Sequence, residues 1–194
     1  EWIAELFAPA SVRCLPVAII PTDDVDRAVQ ETEHCLSLGF RSVMLPCANA
    51  WLPYDLPVYE PLWSLIEEAR IPLNFHVFTG NVSFGADFAK VEHMSEADFS
   101  ARQKAAEPHI HEYRKESLAT TVLGMAAGIS PLVHLTGGGV LERHPDLRFI
   151  ITEAEAGWLA WTLQAMDAMQ QRRRLGLHSL SLKASEYFLR QGAV

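Results

Sequence analysis

His76 is the residue whose type and position point most directly to chemistry. It lies near the end of a short apolar segment, residues 71–77, which is followed by Gly80. Helical patterns flank the segment, so it is expected to form a buried parallel strand. Ligands and metals bind at the carboxyl ends of such strands, where a neutral imidazole is a good metal ligand or general base. The alternative is a core histidine that is hydrogen-bonded to a backbone carbonyl.

A carboxylate occupies the corresponding position in a later segment. Glu153 directly follows the apolar residues 147–152. If both segments are parallel strands, Glu153 and His76 lie on the same rim, where the carboxylate could act as an acid or base or bind a ligand. The alternative is an acidic residue that stabilises the N-terminus of the next helix, and Glu155 fits that role better. Glu153 is therefore the candidate catalytic residue.

His109 and His111 resemble the His-x-His pair of many zinc hydrolases, but their surroundings differ. Pro108 precedes them, and a charged segment with helical character, residues 112–116, follows. On a helix, residues two apart point to different faces, so these rings are not expected to share a metal with His76.

The remaining motifs give no site. His134 lies in a helical stretch and His144 in a turn before Pro145, so both are expected to be structural or exposed. The glycine run 137–139 lacks the preceding strand and following Lys-Ser/Thr of a phosphate loop. The sequence contains no Gly-x-Ser-x-Gly motif, which argues against a serine hydrolase.

The elements that would position these residues alternate between strand and helix. Apolar runs bounded by turn residues predict strands at residues 15–21, 41–46, 71–77 and 147–152. Apolar residues at helical spacing predict helices at residues 25–38, 59–70, 113–128, 130–141 and 156–174. Asp23 or Asp24 supplies the start signal of the first of these helices and Gly39 its stop signal.

This alternation predicts an α/β fold with a parallel sheet and right-handed crossovers. Because the strands are continuously apolar, both faces of the sheet are expected to be covered. A doubly wound sheet and a partial (β/α)8 TIM barrel both fit; about four βα units would be half of such a barrel. Residues 78–115 are expected to form a loop or insertion over the rim.

Composition excludes several kinds of partner. The 194 residues include 24 acidic and 16 basic side chains, giving a net charge of −8. That balance argues against nucleic acid or an anionic membrane as a partner. A membrane span would need a run of about 18 apolar residues, and none is present. Cys14, Cys35 and Cys47 have no paired spacing, so reduced thiols in a cytoplasmic protein are expected.

The whole chain, residues 1–194, is expected to be one domain that is incomplete at both ends. Its first residues already follow a helical pattern, and a new strand could begin at residues 191–194. A fragment of a longer chain is therefore expected. Its open strand edges would favour a homo-oligomer.

Several segments together resemble one family, the amidohydrolase-related metal-dependent hydrolases, the group that includes aminocarboxymuconate-semialdehyde decarboxylase. The segments are PVAIIP (16–21), LGFRSVMLP (38–46), YEPLW (59–63), IPLNFH (71–76) with Thr79 and Gly80, GVLERHPDLRF (139–149), TEAEAGWLAW (152–161) and SEYFLR (185–190). Their order and spacing, over nearly the whole chain, carry the resemblance.

The resemblance implies a (β/α)8 barrel that holds a divalent metal, usually zinc, at its C-terminal rim. The family's ligands are a His-x-His on strand 1, a His on strand 5 and an Asp on strand 8. His76 matches the strand 5 ligand, and the others would lie before Glu1 and after Val194. Glu153 stands at the strand 6 position, where decarboxylating members often carry a catalytic His. Thr79 and Gly80 are the expected substrate-binding residues.

The implied function is that of a metal-dependent hydrolase acting on a small organic acid, amide or lactone. Because Glu153 departs from the decarboxylases' pattern, a non-oxidative decarboxylase of the same family is the alternative. A third possibility is an inactive half-barrel without a cofactor, since a catalytic zinc needs about three protein ligands.

Overall fold

The computed structural model describes most of the chain. The described residues are 2–10, 13–48, 52–80, 95, 101, 104, 118–172 and 180–194. Most of the expected insertion, residues 78–115, lies outside them, as do His109 and His111. The predictions for these residues remain untested.

The described residues form five strands, all parallel, in one sheet. The strands are β1 (Ala18–Ile19), β2 (Val43–Ala48), β3 (Leu73–Gly80), β4 (Phe149–Thr152) and β5 (Gly192–Ala193). The helices are α1 (Trp2–Phe7), α2 (Val25–Ser37), α3 (Glu60–Glu68), α4 (Leu118–Ala126), α5 (Ile129–Gly137), α6 (Val140–Arg143), α7 (Gly157–Gln171) and α8 (Ala184–Gln191). The predicted parallel α/β architecture is confirmed, with β5 as an additional strand.

The order of the strands decides between the two predicted architectures. It runs β1-β2-β3-β4-β5, so each new strand is added on the same side of the sheet. A doubly wound sheet reverses its strand order at a switch point, whereas a (β/α)8 barrel never does. The described sheet therefore has the topology of a partial barrel.

The two faces of the sheet differ in burial. On β3, Leu73, Phe75 and Val77 are fully buried and belong to the core that contains the helices, whereas Asn74 and His76 point to the opposite face. Ile19 shares this opposite face and is 72% exposed. The expectation that both faces are covered is therefore wrong for the described residues. The second face corresponds to the inside of a barrel, which five strands do not close.

Local signals explain where the helices begin and end. The side chain of Asp24 caps α2 by accepting a hydrogen bond from the backbone N–H of Arg27 at 3.1 Å. Gly39 follows the helix in the left-handed conformation, with φ of +88°. The helix predicted over residues 130–141 is instead divided into α5 and α6, because Gly139 adopts φ of +74° between them.

A cluster of buried aromatic side chains packs beside the carboxyl end of β2. The ring of Tyr54 lies 5.2 Å from the rings of Tyr59 and Phe75, between centroids. The indole N–H of Trp63 donates to the carbonyl of Tyr54 at 3.3 Å, and the Tyr54 hydroxyl donates to the carbonyl of Pro46 at 2.6 Å. These buried contacts tie α3 to the carboxyl end of β2.

None of the described helices has the length and apolar composition that would be needed to cross a membrane.

Candidate active site at the rim of the sheet

His76 and Glu153 lie side by side at the carboxyl ends of adjacent strands. His76 of β3 is in register with Thr152, the last residue of β4, and Glu153 comes next. The Nε2 atom of His76 lies 3.4 Å from Oε2 of Glu153. The side chains are 32% and 70% exposed, respectively. The structure therefore brings the two residues together as the strand pattern predicts, whereas their chemical roles remain predictions.

The hydrogen bond of the imidazole fixes which nitrogen can react. Nδ1 of His76 lies 2.7 Å from the carbonyl oxygen of Val77. Because a carbonyl can only accept, Nδ1 donates to Val77, and Nε2 faces the carboxylate of Glu153. A backbone carbonyl often orients a metal-binding histidine in this way. The alternative interpretation of His76 was a core histidine that is hydrogen-bonded to a backbone carbonyl. The hydrogen bond is present, but the side chain is 32% exposed and does not lie in the core.

The backbone at Glu153 turns sharply after β4. Glu153 has φ of +60° and Glu155 has φ of +53°, conformations that are uncommon for residues other than glycine. The turn at Glu153 returns its carboxylate to the rim beside His76 instead of continuing along the strand. Glu155 lies two residues before the start of α7, which suits the helix-stabilising role predicted for it.

A bulge shapes the end of β3 beyond His76. Pro46 pairs with His76 but Ala48 pairs with Gly80, so β3 contains two more residues than β2 between these pairs. Phe78, inside the bulge, has φ of +62°. For a bulky residue, this conformation costs on the order of 1 kcal/mol or more, and such strain is common near functional sites.

The hydroxyl of Thr79 holds the bulge together. It accepts a hydrogen bond from the backbone N–H of Cys47 at 2.9 Å and donates one to the carbonyl of His76. These contacts favour a positioning role for Thr79. The prediction that Thr79 and Gly80 bind substrate remains untested, and Gly80 is the last residue of β3.

A cavity of about 580 Å³ opens beside these residues. Its lining combines the apolar side chains of Phe78, Met125 and Ile151 with the two carboxylates of Glu153 and Glu155. Sequence reasoning missed Phe78, Met125 and Ile151 because apolar residues at the end of a strand or in a helix resemble core residues. The only available signal was the position of Phe78, two residues after His76.

A second cavity, of about 360 Å³, lies between α5, α7 and α8. It is lined by residues such as Val133, Trp161 and Met166, and none of its lining residues is ionisable. This cavity therefore lacks acid–base groups.

The other described histidines have partners elsewhere. Nδ1 of His134 lies 2.7 Å from Oδ1 of Asp55. His144 is buried, with its two ring nitrogens 3.0 Å from Glu60 and 2.9 Å from Glu67. Both contacts join separate elements of the fold, which agrees with the structural role predicted for these histidines.

The donor atoms at the rim supply only part of a metal shell. Nε2 of His76 and the carboxylate of Glu153 are suitable ligands for a divalent ion. No group of three or more potential metal-binding side chains occurs among the described residues. Because a catalytic metal usually takes about three protein ligands, the two side chains fit an incomplete shell.

A comparison with protein families matches most of the chain. The model of the amidohydrolase family aligns with residues 1–177. The chain belongs to the amidohydrolase family. This confirms the resemblance drawn from the sequence.

Several of the similar proteins are named as decarboxylases. The chain is 33% identical to gamma-resorcylate decarboxylase of Rhizobium radiobacter over 83 residues, which cover 39% of this chain and 25% of the relative. The structure of 5-carboxyvanillate decarboxylase from Sphingomonas paucimobilis matches with a TM-score of 0.70 and 21% identity, over 99% of this chain and 51% of that one. A dihydroxybenzoic acid decarboxylase from Polaromonas sp. JS666, with bound manganese and the inhibitor 2-nitroresorcinol, matches with a TM-score of 0.65 and 17% identity, over 98% and 53%.

These comparisons refine the sequence predictions. The amidohydrolase chain spans about a quarter of the curated relative and about half of each solved structure. The relatives named above are enzymes, and their names give decarboxylation, whereas the sequence predicted hydrolysis first and decarboxylation as the alternative. The structure of the Polaromonas relative contains manganese, whereas zinc was the metal expected from the sequence.

Proposed function

We propose that this chain forms the central part of a decarboxylase barrel that releases CO2 from a small aromatic acid. The observation that carries the proposal is the pairing of His76 and Glu153, with Nε2 of His76 directed at the rim. Family membership and the decarboxylases among the relatives support the choice of reaction.

His76 would hold a divalent metal through Nε2. In the family's barrel the other ligands come from strands 1 and 8, whereas β3 corresponds to strand 5, so the described strands supply only one of these ligands. A bound metal would neutralise the negative charge of the substrate's oxygen atoms. The hydrogen bond from Nδ1 to the carbonyl of Val77 keeps the ring in the orientation that this requires.

Glu153 would carry the proton that the reaction consumes. Decarboxylation breaks the bond between the ring carbon and the carboxylate, CO2 leaves, and the electron pair left on the ring carbon takes a proton. A carboxylic acid beside the substrate can donate this proton and be reprotonated by water. Glu153 lines the rim cavity, which places it beside a bound substrate, and its 70% exposure gives water access to reprotonate it.

Hydrolysis of a small organic acid, amide or lactone is the second candidate. The observation that favours it is Glu153 itself, which stands where decarboxylating members often carry a histidine. As a carboxylate, Glu153 could instead remove a proton from an attacking water molecule. Glu153 would thus donate a proton in decarboxylation and accept one in hydrolysis.

The test uses the product of the full open reading frame that encodes this sequence, supplied with Mn²⁺. CO2 release from gamma-resorcylate and from 5-carboxyvanillate is measured beside hydrolysis of simple aryl lactones and amides. We expect CO2 release, reduced by about 100-fold or more in Glu153→Gln. Glu68→Gln is the matched control, because it makes the same chemical change at an exposed glutamate on α3 that does not line the cavity. Lactone or amide hydrolysis without CO2 release would overturn the decarboxylase proposal and favour the second candidate.

A further inference from the structure

An aromatic side chain forms one wall of the rim cavity. Phe78 is 50% exposed and lines the cavity together with Met125, Ile151 and Glu153. The cavity thus reaches Glu153, which lies 3.4 Å from His76, whereas His76 itself does not line it. Nothing in the proposed proton transfer uses this ring.

The position of this ring is fixed by the backbone of α4. A Cβ atom added at Gly124 would lie only 2.0 Å from Cε1 of Phe78. The edge of the ring therefore rests directly against Gly124, in space that any other residue would occupy. The bulge and the positive φ of Phe78 constrain the ring from the strand side. A side chain at position 124 would therefore have to displace the ring of Phe78.

We infer that Phe78 determines the specificity of the site for planar aromatic ligands and that Gly124 is its positioning residue. Aromatic rings attract one another in offset-stacked and edge-to-face arrangements beyond the effect of buried area. The side chain of Met125 extends this apolar wall, Ile151 lies buried behind it at 1% exposure, and the cavity volume suits a small ligand. This inference rests on the proposed function, because it takes the rim cavity as the substrate site.

The experiment compares an aromatic probe with a non-aromatic one. Binding of 2-nitroresorcinol and of cyclohexanecarboxylate to the Mn²⁺-loaded product of the full reading frame is measured by calorimetry. Phe78→Leu keeps an apolar side chain but removes the ring, so binding of 2-nitroresorcinol should weaken by about 2- to 10-fold. Binding of cyclohexanecarboxylate should not change. In turnover of gamma-resorcylate, KM should rise while kcat stays within about twofold.

Phe7→Leu is the matched control, because Phe7 is a partly exposed phenylalanine on α1 that does not line the cavity. Gly124→Ala should weaken 2-nitroresorcinol binding as Phe78→Leu does, since the new methyl group displaces the ring. Combined with Phe78→Leu, it should cause no further loss, because the ring it displaces is absent. Thermal unfolding of each variant shows whether it is folded.

Two results would overturn the inference, and they are distinguishable. If wild type binds 2-nitroresorcinol and releases CO2 but Phe78→Leu does both equally well, the inference fails and the proposed function stands. If wild type neither binds the probe nor releases CO2, the proposed function fails and the inference fails with it.

Discussion

The imidazole of His76 and the carboxylate of Glu153 meet across two adjacent parallel strands, with 3.4 Å between Nε2 and Oε2. A different local interaction orients each of the two side chains. A hydrogen bond to the carbonyl of Val77 orients the imidazole, and a left-handed backbone conformation turns Glu153 back toward the rim. The pair is thus produced by the two strand ends themselves and by their immediate surroundings.

The first prediction concerns metal binding. His76→Ala should lower the Mn²⁺ affinity of the full reading-frame product by at least about 10-fold, because it removes the nitrogen ligand at the rim. Calorimetric titration measures the affinity. His34→Ala is the control, since His34 is an exposed histidine on α2. Equal affinities in the two variants would exclude His76 as a ligand.

The 194-residue chain by itself should bind zinc weakly, because its described residues offer an incomplete shell.

The second prediction concerns stability at acid pH. Burial acts to raise the pKa of Glu60, but hydrogen bonds from Arg143 and His144 outweigh it, so the pKa lies below its ordinary value of 4.5. A group whose pKa is depressed by folding stabilises the fold above its unfolded pKa, and this stabilisation is lost as the pH falls through the folded pKa. The cluster that links α3 to α6 should therefore weaken below about pH 4.5.

Urea unfolding measures this effect. At neutral pH, Glu60→Gln should lower the free energy of unfolding by about 1 to 2 kcal/mol, because the carboxylate bonds Arg143 at 2.7 Å and His144 at 3.0 Å. The difference from wild type should shrink as the pH falls below 4.5. Glu68→Gln, which changes an exposed carboxylate on the same helix, is the control. A difference that stays constant from neutral to acid pH would contradict the assignment.

The third prediction concerns the thiols. Burial raises the pKa of Cys47 to about 12, and burial together with the hydrogen bond to Glu31 raises that of Cys35 to about 11. Cys14 is partly exposed. Because the thiolate is the reactive form, iodoacetamide at mildly alkaline pH should label Cys14 first and the other two only after unfolding. Peptide mass spectrometry identifies the labelled sites. Rapid labelling of Cys47 in the folded protein would show that the core around β2 is open.

Much of the rim could be predicted from the sequence. Apolar runs that end at His76 and at Glu153 identify two strands, and parallel pairing then places both residues on one rim. The bulge at Phe78 could not be predicted, because it depends on how β2 and β3 pair and on the close approach of Gly124 from α4. Nor could the contacts of His144 with Glu60 and Glu67, since the partners lie 84 and 77 residues apart in the chain.

The last prediction concerns self-association through the edge strands of the sheet. Within the described residues β1 pairs only with β2, and β5 only with β4, so both edge strands have free backbone groups. Ile19 adds an apolar side chain, 72% exposed, to the β1 edge. Exposed apolar edge strands favour association with a second chain. The 194-residue chain should therefore form dimers or larger species at micromolar concentrations, as measured by sedimentation velocity.

Ile19→Lys should shift this equilibrium toward monomer, because a charged side chain on an edge strand opposes pairing. Leu189→Lys is the control, since Leu189 is 80% exposed on α8 and the charge change is the same. A monomeric wild type, or equal dissociation by both substitutions, would show that the β1 edge does not mediate association.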